Sequence, residues 1–400
     1  MTDAPTAPRL GLYVHIPFCP QRCPYCAFTV FTGREEVVEE YVEAVCAEID
    51  TWAHLQDRGG LDTVFFGGGT PSRIEPSHLG RILDTAARVL VLSSAAEITV
   101  EANPSTAEAA RFAELRRVGC NRLSLGAQSF VDDSLRRLGR MHSAADAELA
   151  YHVARGAGFD SVSCDLIFSI PGASPQDWST TLARAVELAP DHLSAYTLSV
   201  EPGTSFERRR LAGDLPLVDE EVDADAYERL VQGLGEAGYE HYEISNFARE
   251  GHRSRHNWDC WTGGEYIGVG VSAHSYLDGR RFWNGTGLDD YIKRVHEGDS
   301  PQVGEERLSP TAARGEALWL GLRTCEGICL SVRERECLVE SDLWRRLQAV
   351  GHARLEGKRL WLTEAGFAVA DAVSMSVVDV VVEDADVIDT DVVPAGAQKA

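Results

Sequence analysis

The strongest constraint on the fold is an alternation. Between Leu12 and Leu198 the chain switches six times between a short apolar run and a segment of helical period. The runs are LYVHI, TVFF (63–66), ITVEA (98–102), RLSLG (122–126), SVSCDLIF (161–168) and HLSAYTL (192–198), bounded by Gly, Pro or Asn. Short apolar runs rich in β-branched residues read as strands buried on both faces, which is the pattern of a parallel sheet. Between them, Val38, Tyr41, Val42, Val45, Ile49 and Trp52 fall on one helical face, as do Leu79, Ile82, Leu83 and Val89. Consecutive βα units build a parallel sheet covered by helices. The predicted fold class is therefore α/β. Six units suit a partial (βα)6 barrel better than a closed eight-stranded one, with an open doubly wound sheet as the alternative.

Beyond Glu201 the pattern breaks. YEISNFA (242–248) and GGEYIGVGVSAHSY read as irregular strands and loops. ALWLGLR reads as a helix, and RLEGKRLWLTEAG (354–366) as a hairpin turning at Gly357. Helices followed by a hairpin suggest a small C-terminal winged-helix-like domain. The expected organisation is a disordered N-terminus (1–10), a (βα)6 core (11–200), an α+β extension (201–305), the winged-helix-like domain (306–373) and an acidic, Val-rich disordered tail (374–400).

The formal net charge of -24 disfavours nucleic acid as a partner. No apolar run reaches the length of a membrane span, and MTDAPTAPRL has no apolar signal core, so the cytoplasm is the expected location. Ten cysteines in such a chain point to reduced thiols or metal ligation rather than disulfides.

Chemistry in parallel α/β folds gathers at the C-terminal ends of the strands. The segment YVHIPFCPQRCPYCAF leaves the first strand and carries Cys19, Cys23 and Cys26 in C-x-x-x-C-x-x-C spacing. A structural zinc site takes four ligands, and an iron–sulfur cluster usually takes four thiolates. Three thiolates therefore suggest a cluster with one iron left open to a small molecule. Zinc, with a fourth ligand such as His15, is the rival. FFGGGTPS follows the second strand, where Gly67, Gly68 and Gly69 allow close approach and offer N–H groups to a ligand.

These residues resemble the radical S-adenosylmethionine superfamily. YVHIPFC, GGGTPS, EANP, NRLSLGAQSF, DLIFSIPG, LSAYTLSVEPGT, YEISNFA and RHNWDCW together are similar to oxygen-independent coproporphyrinogen III oxidases and, more closely, to the related HemW haem chaperones, over about residues 10 to 370. The resemblance implies a [4Fe-4S] cluster on Cys19, Cys23 and Cys26. It implies S-adenosylmethionine beside Tyr13, Tyr25, Phe28, Gly68, Gly69, Thr70, Glu101, Gln128, Arg140 and Asp165.

The oxidases carry a fourth cysteine two residues beyond the triad, where this chain has Phe28, and a longer arm than the 18 residues that precede Cys19 here. The chaperone branch is thus favoured, which implies binding of haem and its transfer to acceptor haemoproteins such as respiratory components. An oxidase that dispenses with the fourth cysteine, or a radical enzyme acting on another substrate, are the alternatives. The chaperone pattern His-Asn-x-x-Tyr-Trp is matched by His256, Asn257 and Trp261, with Cys260 in place of Tyr. Imidazole and thiolate both ligate haem iron, so His256 is the first candidate ligand and Cys260 the second. His241, His252 and His274 are further alternatives. Cys46 and Cys120 read as core. Cys325, Cys329 and Cys337 lack the spacing of a second triad.

Overall fold

The structure is a computed structural model that describes residues 10–382. Residues 1–9 of the expected disordered N-terminus lie outside it, and Leu10 already belongs to the first strand. The six apolar runs form β1 (Leu10–Ile16), β2 (Leu61–Gly68), β3 (Leu92–Ala102), β4 (Arg122–Gln128), β5 (Ser161–Phe168) and β6 (His192–Thr197), each parallel to the next. Alternation along each strand sorts the side chains. Leu12, Val14 and Ile16 of β1, Val64 and Phe66 of β2, and Val162 and Cys164 of β5 pack in one core with the helices Val38–Asp50 and Pro76–Leu90. Gly11, Tyr13 and His15, then Thr63, Phe65 and Gly67, then Glu101 and Asp165, take the other face and line the concave side of the sheet. That concave side is the interior of a partial barrel.

The extension joins this sheet. The segments read as irregular form β7 (Glu240–Glu243), β8 (Asn246–Ala248), β9 (Glu265–Val269) and β10 (His274–Leu277), continued by β11 (Arg280–Asn284) and β12 (Gln302–Arg307). The twelve strands run β12-β11-β10-β9-β1-β2-β3-β4-β5-β6-β8-β7. β9 lies parallel to β1, while β8 is antiparallel to β6. Gly268 is what admits β10: a Cβ there would fall 2.0 Å from the carbonyl oxygen of His274.

The C-terminal region has a second core. The helices Pro310–Gly321, Val332–Glu340 and Asp342–Val350 pack on a three-stranded sheet of β13 (Ile328–Cys329), β15 (Arg359–Leu362) and β14 (Ala353–Glu356). The hairpin turns near Gly357, as the sequence suggested. The expected tail does not begin at residue 374. A helix runs from Ala370 to Val382 and buries Val373, Val377 and Val381 in this core. Four-residue spacing of these valines gives one helical stripe, and it outweighs their strand propensity. Residues 383–400 lie outside the described residues. No helix among the described residues is long and apolar enough to cross a membrane.

Candidate functional site

The cysteine loop leaves β1 at Ile16 and is clamped by two backbone hydrogen bonds, Phe31 N to Pro17 O (2.7 Å) and Cys19 N to Phe31 O (3.0 Å). Cys26 N bonds back to Cys23 O at 3.1 Å, which curls the triad into a turn. The three thiols are half-buried. Cys19 Sγ lies 3.4 Å from Thr70 Oγ1, and the Arg140 guanidinium donates to Cys23 Sγ at 3.5 Å. Burial pushes the Cys19 thiol up to about 11, against the pull of the Thr70 hydroxyl. Iron binding must therefore displace a proton. His15 is no fourth ligand for zinc. Its Nε2 meets the Thr29 carbonyl at 2.9 Å and its Nδ1 the Tyr13 hydroxyl at 3.0 Å.

A buried carboxylate holds the ground beneath this loop. Glu48 accepts from Gly270 N (2.8 Å), Asn284 Nδ2 (2.7 Å) and the Tyr291 hydroxyl (2.6 Å), and desolvation pushes it up to about 7. Beside it, the Tyr41 hydroxyl donates to His15 O at 2.6 Å.

The glycine run abuts the loop. Gly68 sits at φ +109°, where a Cβ would strike the His15 ring, and a Cβ on Gly69 would lie 2.8 Å from Ile16 O. The amides were expected to face a ligand, but they are engaged: Gly68 N by Glu101 Oε2 (3.1 Å), Gly69 N by Ile16 O (2.8 Å) and Thr70 N by Phe18 O (2.9 Å). The glycines supply room rather than donors. Around that space stand Glu101 at the end of β3, Gln128 at the end of β4 with φ +63°, and Asp165 in β5. Arg140 Nη2 donates to Gly126 O (3.1 Å) and to Asn103 Oδ1 (2.5 Å), while Asn103 Nδ2 bonds Thr70 Oγ1 (2.9 Å). Asn103 was not singled out from the sequence, although its motif EANP was.

Two features test whether S-adenosylmethionine fits. Glu101 is half-buried, its side-chain hydrogen bond comes from an amide, and desolvation together with the neighbouring Asp165 charge pushes it up to about 8. Asp165 is likewise raised by burial, despite bonds of 2.9 Å from the Ser124 hydroxyl to both its oxygens. Two adjacent, poorly solvated carboxylates are costly, and Arg122, itself paired with Glu97, offsets the charge on Asp165 only in part. A cofactor carrying a sulfonium and an ammonium supplies the remaining charge. The second feature is Arg140, whose Nε is buried without a partner beside the thiols, as suits an anionic cluster or a cofactor carboxylate. The residues fit the cluster and the cofactor.

Tyr25 meets the site at its edge: its side chain bonds that of Cys23 and lies beside the Arg140 guanidinium, while its ring packs with Leu138, Ile167 and Ile170. Not every predicted contact meets here. Tyr13 lies one layer deeper in the barrel, 6.2 Å from Phe65 and 6.5 Å from His256 between ring centroids. Phe28 is 65% exposed.

RHNWDCW forms a helix, Arg255–Trp261, seated against the N-terminal ends of the barrel strands. Glu97 Oε1 accepts from Arg255 N (2.8 Å), Arg122 donates to His252 O (2.9 Å), and Ser254 N donates to the Tyr242 hydroxyl (3.2 Å). His256 is buried, its Nδ1 is 2.9 Å from Thr63 Oγ1, and its ring stacks on Phe65 at 5.2 Å. Desolvation lowers it to about 4, so the imidazole is neutral. Cys260, one turn on, is exposed. Trp261 lies under the guanidinium of Arg323, which also stacks on Trp319 at 3.9 Å and thereby ties the C-terminal domain to this helix. His241 is stacked on Phe247 at 4.3 Å, and His274 on Trp283 at 5.7 Å.

Known proteins share this arrangement. The family model of the radical SAM superfamily matches residues 13–185. The chain is 36% identical over 366 residues to the "Heme chaperone HemW" of Mycobacterium tuberculosis, covering 91% of this chain and 93% of the relative. To the Escherichia coli protein of the same name it is 40% identical over 277 residues, or 68% and 72% of the two chains. Among solved structures, coproporphyrinogen III oxidase (HemN) from Escherichia coli, a radical SAM enzyme, aligns with a TM-score of 0.80 at 25% identity, covering 92% of this chain and 90% of that one. The fold is thus common to chaperone and oxidase, and sequence similarity along the whole chain decides between the branches: this chain belongs to the HemW family of the radical SAM superfamily.

Proposed function

We propose that this chain is a haem chaperone that binds haem and passes it to acceptor haemoproteins. The observation that carries the reading is identity of 36% to a heme chaperone across 91% of the chain, including its C-terminal domain. In this reading Cys19, Cys23 and Cys26 hold a [4Fe-4S] cluster. Glu101, Asp165 and Gln128 receive the polar groups of S-adenosylmethionine, with Arg140 and Asn103 fixing the Thr70 side of the cradle. Bound together, these groups supply one-electron and radical chemistry. The chain's own part is to place them, through the clamp at Phe31 and the Glu48 buttress, and to keep water from the barrel.

For haem, the geometry supports Cys260 as the ligand reached first. The residue is exposed, although burial and the Asp259 charge push its thiol up to about 12 so that haem iron must displace the proton, whereas His256 stands behind Thr63 and Phe65 and is freed only when its helix lifts from the sheet. Haem titration of anaerobically reconstituted protein tests this. Cys260→Ser should weaken binding at least tenfold and His256→Ala less than threefold, with a thiolate-type ferric spectrum. Loss in His256→Ala alone would make the imidazole the ligand, and no haem uptake by the native chain would end the chaperone reading.

The TM-score of 0.80 to HemN favours a second reading, a coproporphyrinogen oxidase. Phe28 stands against it, because it places an exposed phenyl ring where the oxidases have a thiol. Anaerobic incubation with coproporphyrinogen III, S-adenosylmethionine and reductant should leave the porphyrinogen unchanged; decarboxylated product would establish the oxidase.

A further inference from the structure

Between Asp165 at the mouth and the helix Arg255–Trp261, the barrel holds polar side chains, Ser163, His192 and Tyr242, that have no part in the cofactor site described above. Starting at the mouth, Asp165 Oδ1 accepts from Ser163 Oγ at 3.3 Å. Ser163 Oγ is 2.8 Å from His192 Nδ1, and His192 Nε2 is 2.8 Å from the Tyr242 hydroxyl. That hydroxyl accepts from Ser254 N at 3.2 Å, at the start of the helix Arg255–Trp261. All these side chains but the mouth residue Asp165 are fully buried, and His192 is held neutral by burial. The run therefore connects the cofactor mouth to the helix at the opposite end of the barrel through four direct hydrogen bonds.

Its polarity is set at both ends. The Ser254 amide can only donate, and an ionised Asp165 can only accept. A neutral imidazole has one donor and one acceptor nitrogen. With Asp165 ionised, every link points the same way: Tyr242 donates to His192 Nε2, His192 Nδ1 to Ser163, and Ser163 to Asp165. A protonated Asp165 can instead donate to Ser163 and reverse the links. Tyr242 then receives two N–H donors, while its own O–H is left without an acceptor among the described residues. An unmet buried donor is unfavourable, so the reversed state loosens the Tyr242–Ser254 contact.

We propose that the run Asp165–Ser163–His192–Tyr242–Ser254 couples cofactor occupancy at the barrel mouth to the seating of the helix Arg255–Trp261, with Tyr242 as the positioning residue. A cation beside Asp165 favours its ionised form and hence the aligned state. With the mouth empty, Glu101 and Asp165 oppose each other's charge, Arg122 offsets this only in part, and the aligned state loses much of its advantage. Cofactor arrival thus firms the seat of the helix that carries His256 and Cys260. This rests on the reading that S-adenosylmethionine binds at the mouth.

Hydrogen–deuterium exchange of the reconstituted full chain, read by mass spectrometry on the peptide containing Ser254–Trp261, tests the coupling without needing haem. Saturating S-adenosylmethionine, with no reductant, should slow exchange there at least fivefold, the low end of ordinary site–site coupling. Tyr242→Phe keeps the ring and removes the link, and Ser163→Ala breaks the run elsewhere. In both, the cofactor should change exchange less than twofold, while calorimetry on Tyr242→Phe shows cofactor affinity within threefold of the native value. The proposal is overturned if the native peptide does not respond although calorimetry shows the cofactor bound, or if Tyr242→Phe responds fully. A native chain with no heat of cofactor binding would instead overturn the cofactor reading on which the proposal rests.

Discussion

Glu48→Gln isolates the buttress under the cysteine loop. The native carboxyl titrates near 7 in the folded chain against an ordinary value of 4.5, because burial opposes its charge more than its three hydrogen bonds favour it. The sign follows directly. Below about pH 4.5 the group is protonated in both states and makes no difference. Between 4.5 and 7 the unfolded chain releases the proton and the folded chain keeps it, so stability falls as pH rises. Above 7 the loss is complete. At about 1.4 kcal/mol per pH unit, the native chain loses about 3 kcal/mol across that window. Glutamine cannot ionise and escapes this loss. It has its own defect, since its amide NH2 meets the Asn284 NH2 group where the carboxylate had accepted at 2.7 Å, which costs about 1–2 kcal/mol. The variant should therefore be the less stable protein near pH 5 and the more stable one at pH 8. Urea unfolding of metal-free native and variant chains, at matched ionic strength, measures the difference at each pH. Other raised carboxyls, Glu101 and Glu243 among them, are common to both chains and cancel. If the two stabilities stay parallel from pH 5 to pH 8 within about 0.5 kcal/mol, Glu48 ionises equally in both states and the desolvation argument is wrong.

Replacing Cys19, Cys23 or Cys26 by Ala should each abolish the broad iron–sulfur absorbance after reconstitution, whereas Ala at Cys325, beside Arg253, or at exposed Cys329 should not. Gly69→Ala should weaken S-adenosylmethionine binding at least tenfold by calorimetry, because the new methyl meets backbone atoms of Ile16, Pro17 and Phe18 and must push the cysteine loop from the glycine run. Arg323→Ala should lower the thermal midpoint and speed proteolysis near Trp261, since it removes the cation that stacks on both Trp261 and Trp319; Arg323→Lys should restore only part.

The parts of the fold that could be read in the sequence were local. Six strands announced themselves as apolar runs, and the cysteine triad is contiguous, so neither needed a tertiary fact. The glycine run was recognised, but not that its amides are already bonded, since Gly69 and Thr70 pair with Ile16 and Phe18, far earlier in the chain. Glu48 looks like an ordinary polar position on an amphipathic helix; only the later arrival of Gly270, Asn284 and Tyr291 buries it. His256 was ranked as a ligand on its type and motif, while its burial depends on Thr63 and Phe65 from a distant strand. The stripe Val373, Val377 and Val381 was legible at four-residue spacing and was obscured by the high valine content around it.

The pairing of β1 with β9 bears on how the chain is made. β1 leaves the ribosome well before one of its two neighbours, Glu265–Val269, which is encoded about 250 residues later. At ordinary rates of synthesis that is a delay of roughly 10–50 s. Throughout it, the nascent sheet presents the unpaired backbone of Leu10–Val14 as an open edge, the kind that recruits strands from other chains. A fragment cut after residue 200 would keep all six strands of the parallel core and never close that edge. The extension is therefore also the stopper that closes this edge, and it does so only once the chain has been made as far as β9.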